Sequence, residues 1–153
     1  MLLDPHSDIP LSPQDARAAI EGGIVAVDCS WNRLGRRGGY PLEDRWLSSM
    51  RVRRRLPFLF AANPQHYGRL GELNTAEALG AALYVVAGRE TAETFLGRFA
   101  FGASFLDLNG EALEAYHRTS GPTEVGGLEI ERFSGTGGPA GAAPARSSAG
   151  APR

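Results

Sequence analysis

Apolar residues fall along the chain in short runs separated by turn-forming residues, with no single long stretch. Leu2-Leu3-Asp4-Pro5 reads as the end of a strand, halted by proline. Ser12-Pro13 opens a helix: Ser caps, Pro takes the first helical position and Asp15 favours the positive end. That helix runs through Ala16–Ile20 and stops at Gly22-Gly23. Ile24-Val25-Ala26-Val27 is apolar throughout, as a strand covered on both faces should be. Leu56 to Ala62 is another apolar run, too short for a helix, and predicts a buried strand. It enters the loop Asn63-Pro64-Gln65-His66-Tyr67-Gly68. Asn74 caps the next helix, with Glu77 three residues on as in a capping box. Leu79, Leu83 and Val86 share one face of it, and Gly88 ends it. A helix over Thr91–Phe99 follows, then an apolar link from Phe101 to Leu108. The last helix runs from Gly110 to about Thr119, behind Asn109. From Gly135 the composition turns to Gly, Ala, Pro and Ser, which predicts a disordered tail.

Strands and helices alternate, so the fold class is α/β. Three stretches are expected: 1–55 with a basic loop, 56–120, and a low-complexity tail over 121–153. Ligands of open α/β sheets gather at the carboxyl ends of strands. That rule draws attention to Asp28-Cys29-Ser30-Trp31 and to the loop 63–68.

Charge changes the picture more than size does. The chain of 153 residues has a formal net charge of −1, yet all 16 of its basic residues are Arg. Eight of these lie between positions 33 and 55, against only Glu43 and Asp44, giving that segment +6. A local basic patch on a near-neutral protein suits a phosphate backbone, and Arg51, Arg53, Arg54 and Arg55 are its candidates. A solvated, Arg-rich loop is the competing reading. A single cysteine, Cys29, excludes an internal disulfide. Three scattered histidines give no metal-ligand spacing, so no metal is expected. No stretch is long and apolar enough to span a membrane, and the expected location is the cytoplasm. Neither a dinucleotide fingerprint, nor a P-loop, nor a Gly-x-Ser-x-Gly elbow is present.

Three blocks carry a family resemblance: IVAVDCSW at 24–31, LPFLFAANPQHYG at 56–68 and LNTAEALGAALYVVAG at 73–88. In order and rough spacing they resemble the aminocarboxypropyltransferases of small-subunit ribosomal RNA, which are SPOUT-class enzymes. The likeness covers about residues 2 to 118. It implies a SPOUT-like sheet flanked by helices, with a C-terminal trefoil knot in the half 56–120. It also implies S-adenosylmethionine as cofactor and small-subunit rRNA or a pre-ribosomal subunit as partner, for a protein read as a monomer. The family has a longer N-terminal region with a short Thr-Gly-Lys-type motif, similar in role to a clamp for the cofactor's carboxylate. That motif is not among these residues.

Residue by residue, the resemblance implies a pocket. Leu3 and Pro5 would line one side of the adenine, Trp31 and Leu56 another, Leu73 and Ala76 a third. Backbone groups near Leu56 and Tyr67 would read the base edge, and the Val27 carbonyl would hold the ribose. The Thr75 N–H, at a helix start, suits the cofactor's carboxylate. The family often has Ser where Asn74 stands, and Asn where His66 stands. An indole at Trp31 can face a sulfonium centre, or it can be core packing; both readings fit a strand end. The resemblance puts the cofactor's methyl group against Trp31, which leaves the aminocarboxypropyl carbon facing the acceptor. Asp28 is the candidate base for an imide N–H, or it caps a turn or pairs with an Arg. A SPOUT methyltransferase and a non-catalytic ribosome-assembly factor are the alternatives.

Overall fold

Three very short parallel strands frame the molecule. A computed structural model describes residues 1–27 and 49–134. Strand β1 is Leu2–Leu3, β2 is Val25–Ala26 and β3 is Arg53–Arg54, in the order β2-β1-β3. Leu2 registers with Val25 and Arg53, and Leu3 with Ala26 and Arg54. The central strand is wholly apolar and buried, as a strand covered on both faces must be. Flanking main-chain bonds lengthen the ladder: Asp4 N–H donates to Arg54 O at 2.8 Å and Leu11 N–H to Arg55 O at 2.8 Å. Because all three strands run the same way, residues 4–5, 27 and 55–56 leave the sheet at one edge.

The helices follow local signals. A single 3-10 turn, Pro13–Asp15, leads into α1, Ala16–Gly22. Gly23 then takes a φ of 69°, which stops the helix without a Cβ penalty. Helix α2 is Thr75–Ala87, α3 is Arg89–Leu96, α4 is Gly102–His117 and α5 is Pro122–Phe133. At the start of α2 the Glu77 N–H donates to Asn74 Oδ1 (2.9 Å), and the Asn74 N–H donates back to Glu77 Oε2 (2.8 Å). This is the reciprocal cap expected from the sequence. Helix α2 packs on α3, α4, the 3-10 turn and β2. One apolar core joins both parts of the chain: Leu3 and Leu11 from the first, Leu59, Val85, Leu96 and Leu113 from the second.

Four expectations are corrected. Phe101–Leu108 is not a link but the first half of α4, which runs unbroken to His117. Asn109 was placed ahead of the last helix, but it lies within α4, and its side chain is spent inside the fold, on Phe60 and on the Phe105 carbonyl. Helix α5 occupies 122–133, within the stretch set aside as tail; it opens on Pro122 and buries Val125 and Glu129 on one face. Leu56–Ala62 is not a paired strand of the sheet. The pairing lies upstream at Arg53–Arg54, and the apolar run continues past the sheet with one antiparallel bridge, Phe60 to Leu70.

Two glycines of α4 should respond oppositely to alanine. A Cβ on Gly102 would fall inside the Leu96 carbonyl, whereas one on Gly110 meets nothing within 4 Å. Gly102→Ala should destabilise the fold by about 1–3 kcal/mol through forced backbone movement. Gly110→Ala should stabilise it by about 0.5–1 kcal/mol through helix propensity and unfolded-state entropy. Urea unfolding midpoints of the two variants check both signs.

Candidate functional site

Beyond β3 the chain enters a row of polar side chains. The Phe58 N–H donates to Glu129 Oε1 of α5 (2.9 Å), the Phe60 N–H to Asn109 Oδ1 of α4 (2.8 Å) and the Ala62 N–H to Glu77 Oε1 of α2 (2.7 Å). Carbonyls on the same side are met too: Tyr116 OH donates to Phe58 O (3.2 Å) and Asn109 Nδ2 to Phe60 O (2.8 Å). The opposite edge bonds to returning main chain, with Ala61 N–H on Arg69 O, Gly68 N–H on Ala61 O and Gly71 N–H on Leu59 O. Alternation of partners at 58, 60, 62 and at 59, 61 is that of an extended chain. Side chains from three helices thus do for the N–H groups of Phe58, Phe60 and Ala62 what a neighbouring strand would do.

Each acceptor is buried and well used. Glu129 is 4% exposed and also takes a fork of two bonds from the Arg55 guanidinium, at 2.7 and 2.8 Å. Glu77 is fully buried and receives Ala62 N–H, Asn63 Nδ2 (2.7 Å) and Asn74 N–H (2.8 Å). Burial pushes the Tyr116 phenol well above its ordinary pKa, and the Glu129 charge adds to that.

Glu77 therefore ties two loops together: the turn that begins at Asn63 and the start of α2. The turn is held from inside. The His66 N–H donates to Asn63 Oδ1 at 3.1 Å and the Arg69 N–H to His66 O at 3.0 Å. Gly68 and Gly71 both take a φ of 77°, which favours glycine there. Glu72 faces two groups of the turn, with Oε2 at 3.0 Å from His66 Nδ1 and 3.3 Å from Arg69.

The candidate cofactor residues divide between two places. Leu3, Pro5, Val27 and Leu56 stand at the carboxyl edge of the sheet, Leu3 buried, Val27 and Leu56 half-buried and Pro5 exposed. Leu73, Thr75 and Ala76 stand at the start of α2, with Leu73 in the same core as Leu3. Tyr67 projects from the turn and is exposed. Asp28 and Trp31 lie outside the described residues, as do Arg33, Arg36, Arg37 and Arg45. A groove of about 330 Å³ lined by Phe60, Asp107, Leu108 and Phe133 lies on the α4–α5 side and contains none of the candidates. Among the described residues no group of three or more His, Cys, Asp or Glu could hold a metal ion.

The arginines of the basic patch are not alike. Arg51 is exposed. Arg53 pairs with the buried Asp4 at 2.9 Å, Arg54 with the buried Asp15 at 2.9 Å, and Arg55 with Glu129. Each of these three is half-buried and engaged with a carboxylate of the fold. The sequence did not announce this, because the partners lie 39 to 74 residues away. Asn109 and Glu129 were missed as well. The available signal was a polar or acidic residue at core spacing, as Glu129 is four residues after the buried Val125.

A small parallel sheet flanked by helices, extended into a chain segment enclosed by later helices, defines an α/β protein of particular build. Residues 1–132 match the family described as ribosome biogenesis protein, C-terminal, and the chain belongs to that family. It is 48% identical over 125 residues to a 16S rRNA aminocarboxypropyltransferase of Methanopyrus kandleri, covering 82% of this chain and 70% of that one. A protein of the same name from Methanothermobacter thermautotrophicus is 39% identical over 132 residues, covering 86% and 73%. Among solved structures, the SAM-dependent rRNA:acp-transferase Tsr3 from Vulcanisaeta distributa matches with a TM-score of 0.68 at 34% identity, over 87% of this chain and 67% of that one.

Two measurements check the polar row. Glu77→Gln turns an N–H donor toward N–H donors and should cost about 1–3 kcal/mol of stability; Glu77→Ala should cost at least as much. An unfolding midpoint unchanged in either variant would mean that water replaces the carboxylate. Tyr116 gives a pH test. Its folded pKa is raised above the unfolded value near 10.0. Its contribution is therefore complete below pH 10 and is lost as pH rises above it, where only the unfolded state ionises. Unfolding midpoints from pH 8 to 11.5 should fall more steeply for the native chain than for Tyr116→Phe.

Proposed function

We propose that the chain transfers the 3-amino-3-carboxypropyl group of S-adenosylmethionine to N3 of a uridine or pseudouridine in small-subunit ribosomal RNA, with release of methylthioadenosine. The observation that carries this reading is the kinship itself: 48% identity to a 16S rRNA aminocarboxypropyltransferase over most of both chains. The residues present fit the cofactor. Pro5, Val27 and Leu56 form an incompletely buried, mainly apolar rim at the carboxyl edge of the sheet. Thr75 and Ala76 open α2, where the first N–H groups have no intrahelical acceptor.

S-adenosylmethionine, when bound, supplies an electrophilic carbon on its sulfonium sulfur. The chain's own residues then position and exclude. Leu3, Pro5, Leu56, Leu73 and Ala76 flank the adenine, and main-chain groups beside Leu56 and Tyr67 read its edge. The Val27 carbonyl accepts from the ribose hydroxyls. The Thr75 N–H, at the positive end of α2, holds the carboxylate. Trp31 would stand against the methyl group, and Asp28 would take the imide proton. With Arg53, Arg54 and Arg55 engaged in ion pairs, the RNA phosphates fall to Arg51 and to the arginines between 33 and 45.

A threaded, trefoil C-terminal half belongs to this proposal. Its support is the enclosure of residues 58–62 by side chains of α2, α4 and α5. So does a division into 1–55 and 56–120, as two parts built around one core. We further propose a cytoplasmic monomer working on the small subunit or its precursor; no described helix is long and apolar enough to cross a membrane.

Product analysis tests the reaction. Incubated with small-subunit RNA and labelled cofactor, the enzyme should release methylthioadenosine and transfer carboxyl label to the RNA. Methyl label in the RNA, with S-adenosylhomocysteine released, would make it a methyltransferase. Absence of any transfer, with RNA still bound, would leave an assembly factor.

A further inference from the structure

Attack by N3 of a uridine-type base has a steric condition. In a duplex N3 carries the Watson–Crick proton and lies inside the stack, so the acceptor must be unpaired when it reacts. Recognition of unpaired RNA relies on exposed rings that take a base on one face, with cations nearby for the backbone.

Among the Phe and Tyr side chains described, Tyr67 is the most open to solvent, at 65% exposed. Its exposure does not come from a slack loop. The main chain on either side is pinned by His66 N–H on Asn63 Oδ1 (3.1 Å), Gly68 N–H on Ala61 O (2.7 Å) and Ala61 N–H on Arg69 O (2.9 Å). Asn63 is in turn anchored on the buried Glu77, which also fixes the start of α2. The ring is thus presented in a set place at little further entropic cost. Two residues on, the Arg69 side chain is 63% exposed and shares Glu72 with His66. A screened surface pair of this kind is readily exchanged for a phosphate.

We infer that the Tyr67 ring is a stacking platform for an unpaired base of the RNA substrate, with Arg69 meeting a neighbouring phosphate. The inference rests on the rRNA-transfer reading and adds to it. The main chain of the turn faces the cofactor while the phenol ring faces the RNA, so one rigid loop sets the distance between the two reactants.

Fluorescence anisotropy with a labelled small-subunit RNA hairpin that carries unpaired uridines tests it. Tyr67→Ala should weaken binding about 5- to 100-fold. It should leave the salt dependence unchanged, while Tyr67→Phe binds as the native chain does. Arg69→Ala should instead lower the log–log salt slope by about 0.7–0.9. Fully paired RNA of equal length should not distinguish Tyr67→Ala from the native chain. Native-like hairpin binding by Tyr67→Ala overturns the inference, as does failure of the native chain to bind the hairpin. A Tyr67-dependent hairpin affinity without group transfer would retain the platform and remove the transfer reading; transfer untouched by Tyr67→Ala would do the reverse.

Discussion

Everything downstream of the sheet depends on how the N–H groups of Phe58, Phe60 and Ala62 are satisfied. These residues run on from a parallel sheet and sit in the interior, where an unpaired amide is costly. Among the described residues no strand lies beside them on that edge. Glu129, Asn109 and Glu77 take the place of one, each from a different helix. The arrangement sets the position of α2, α4 and α5 along a single line of backbone at two-residue intervals. It also explains why polar groups are tolerated so deep in the core: each is spent on main chain that would otherwise be stranded.

Three adjacent arginines perform a related task at the sheet. Arg53, Arg54 and Arg55 reach three carboxylates on three elements: Asp4 after β1, Asp15 in the 3-10 turn and Glu129 in α5. Taking away one member of such a pair leaves a buried charge, which costs more than the pair contributes. Linear charge counting sees a basic cluster here; in space three of its eight arginines are paired with acids drawn from elsewhere.

What could be read from the sequence was local. Asn74 with Glu77, Gly23 and Gly88 announced their helix ends, because caps and left-handed glycines act within a few residues. The apolar run Leu56–Ala62 announced burial but not its partner, since composition does not say whether a strand or side chains will meet the backbone. Asn109-Gly110 looked like a break ahead of a helix because the isolated dipeptide favours a turn; only the distant Phe60 reveals the other use. Helix α5 was hidden by Gly126-Gly127 and by its burying only Val125 and Glu129. For the candidate site, the resemblance named residues that lie at the carboxyl edge of the sheet and at the start of α2. The ion-paired state of the arginines was not, as it depends on contacts far along the chain.

The row of acceptors also dictates a temporal order. Ala62 finds Glu77 15 residues later, Phe60 finds Asn109 after 49, and Phe58 finds Glu129 only after 71. Loop-closure entropy and the direction of synthesis both favour the nearest partner first. A nascent chain therefore secures this segment backwards, from Ala62 toward Phe58. The Arg55 guanidinium waits longest, until nearly the whole helical half has emerged.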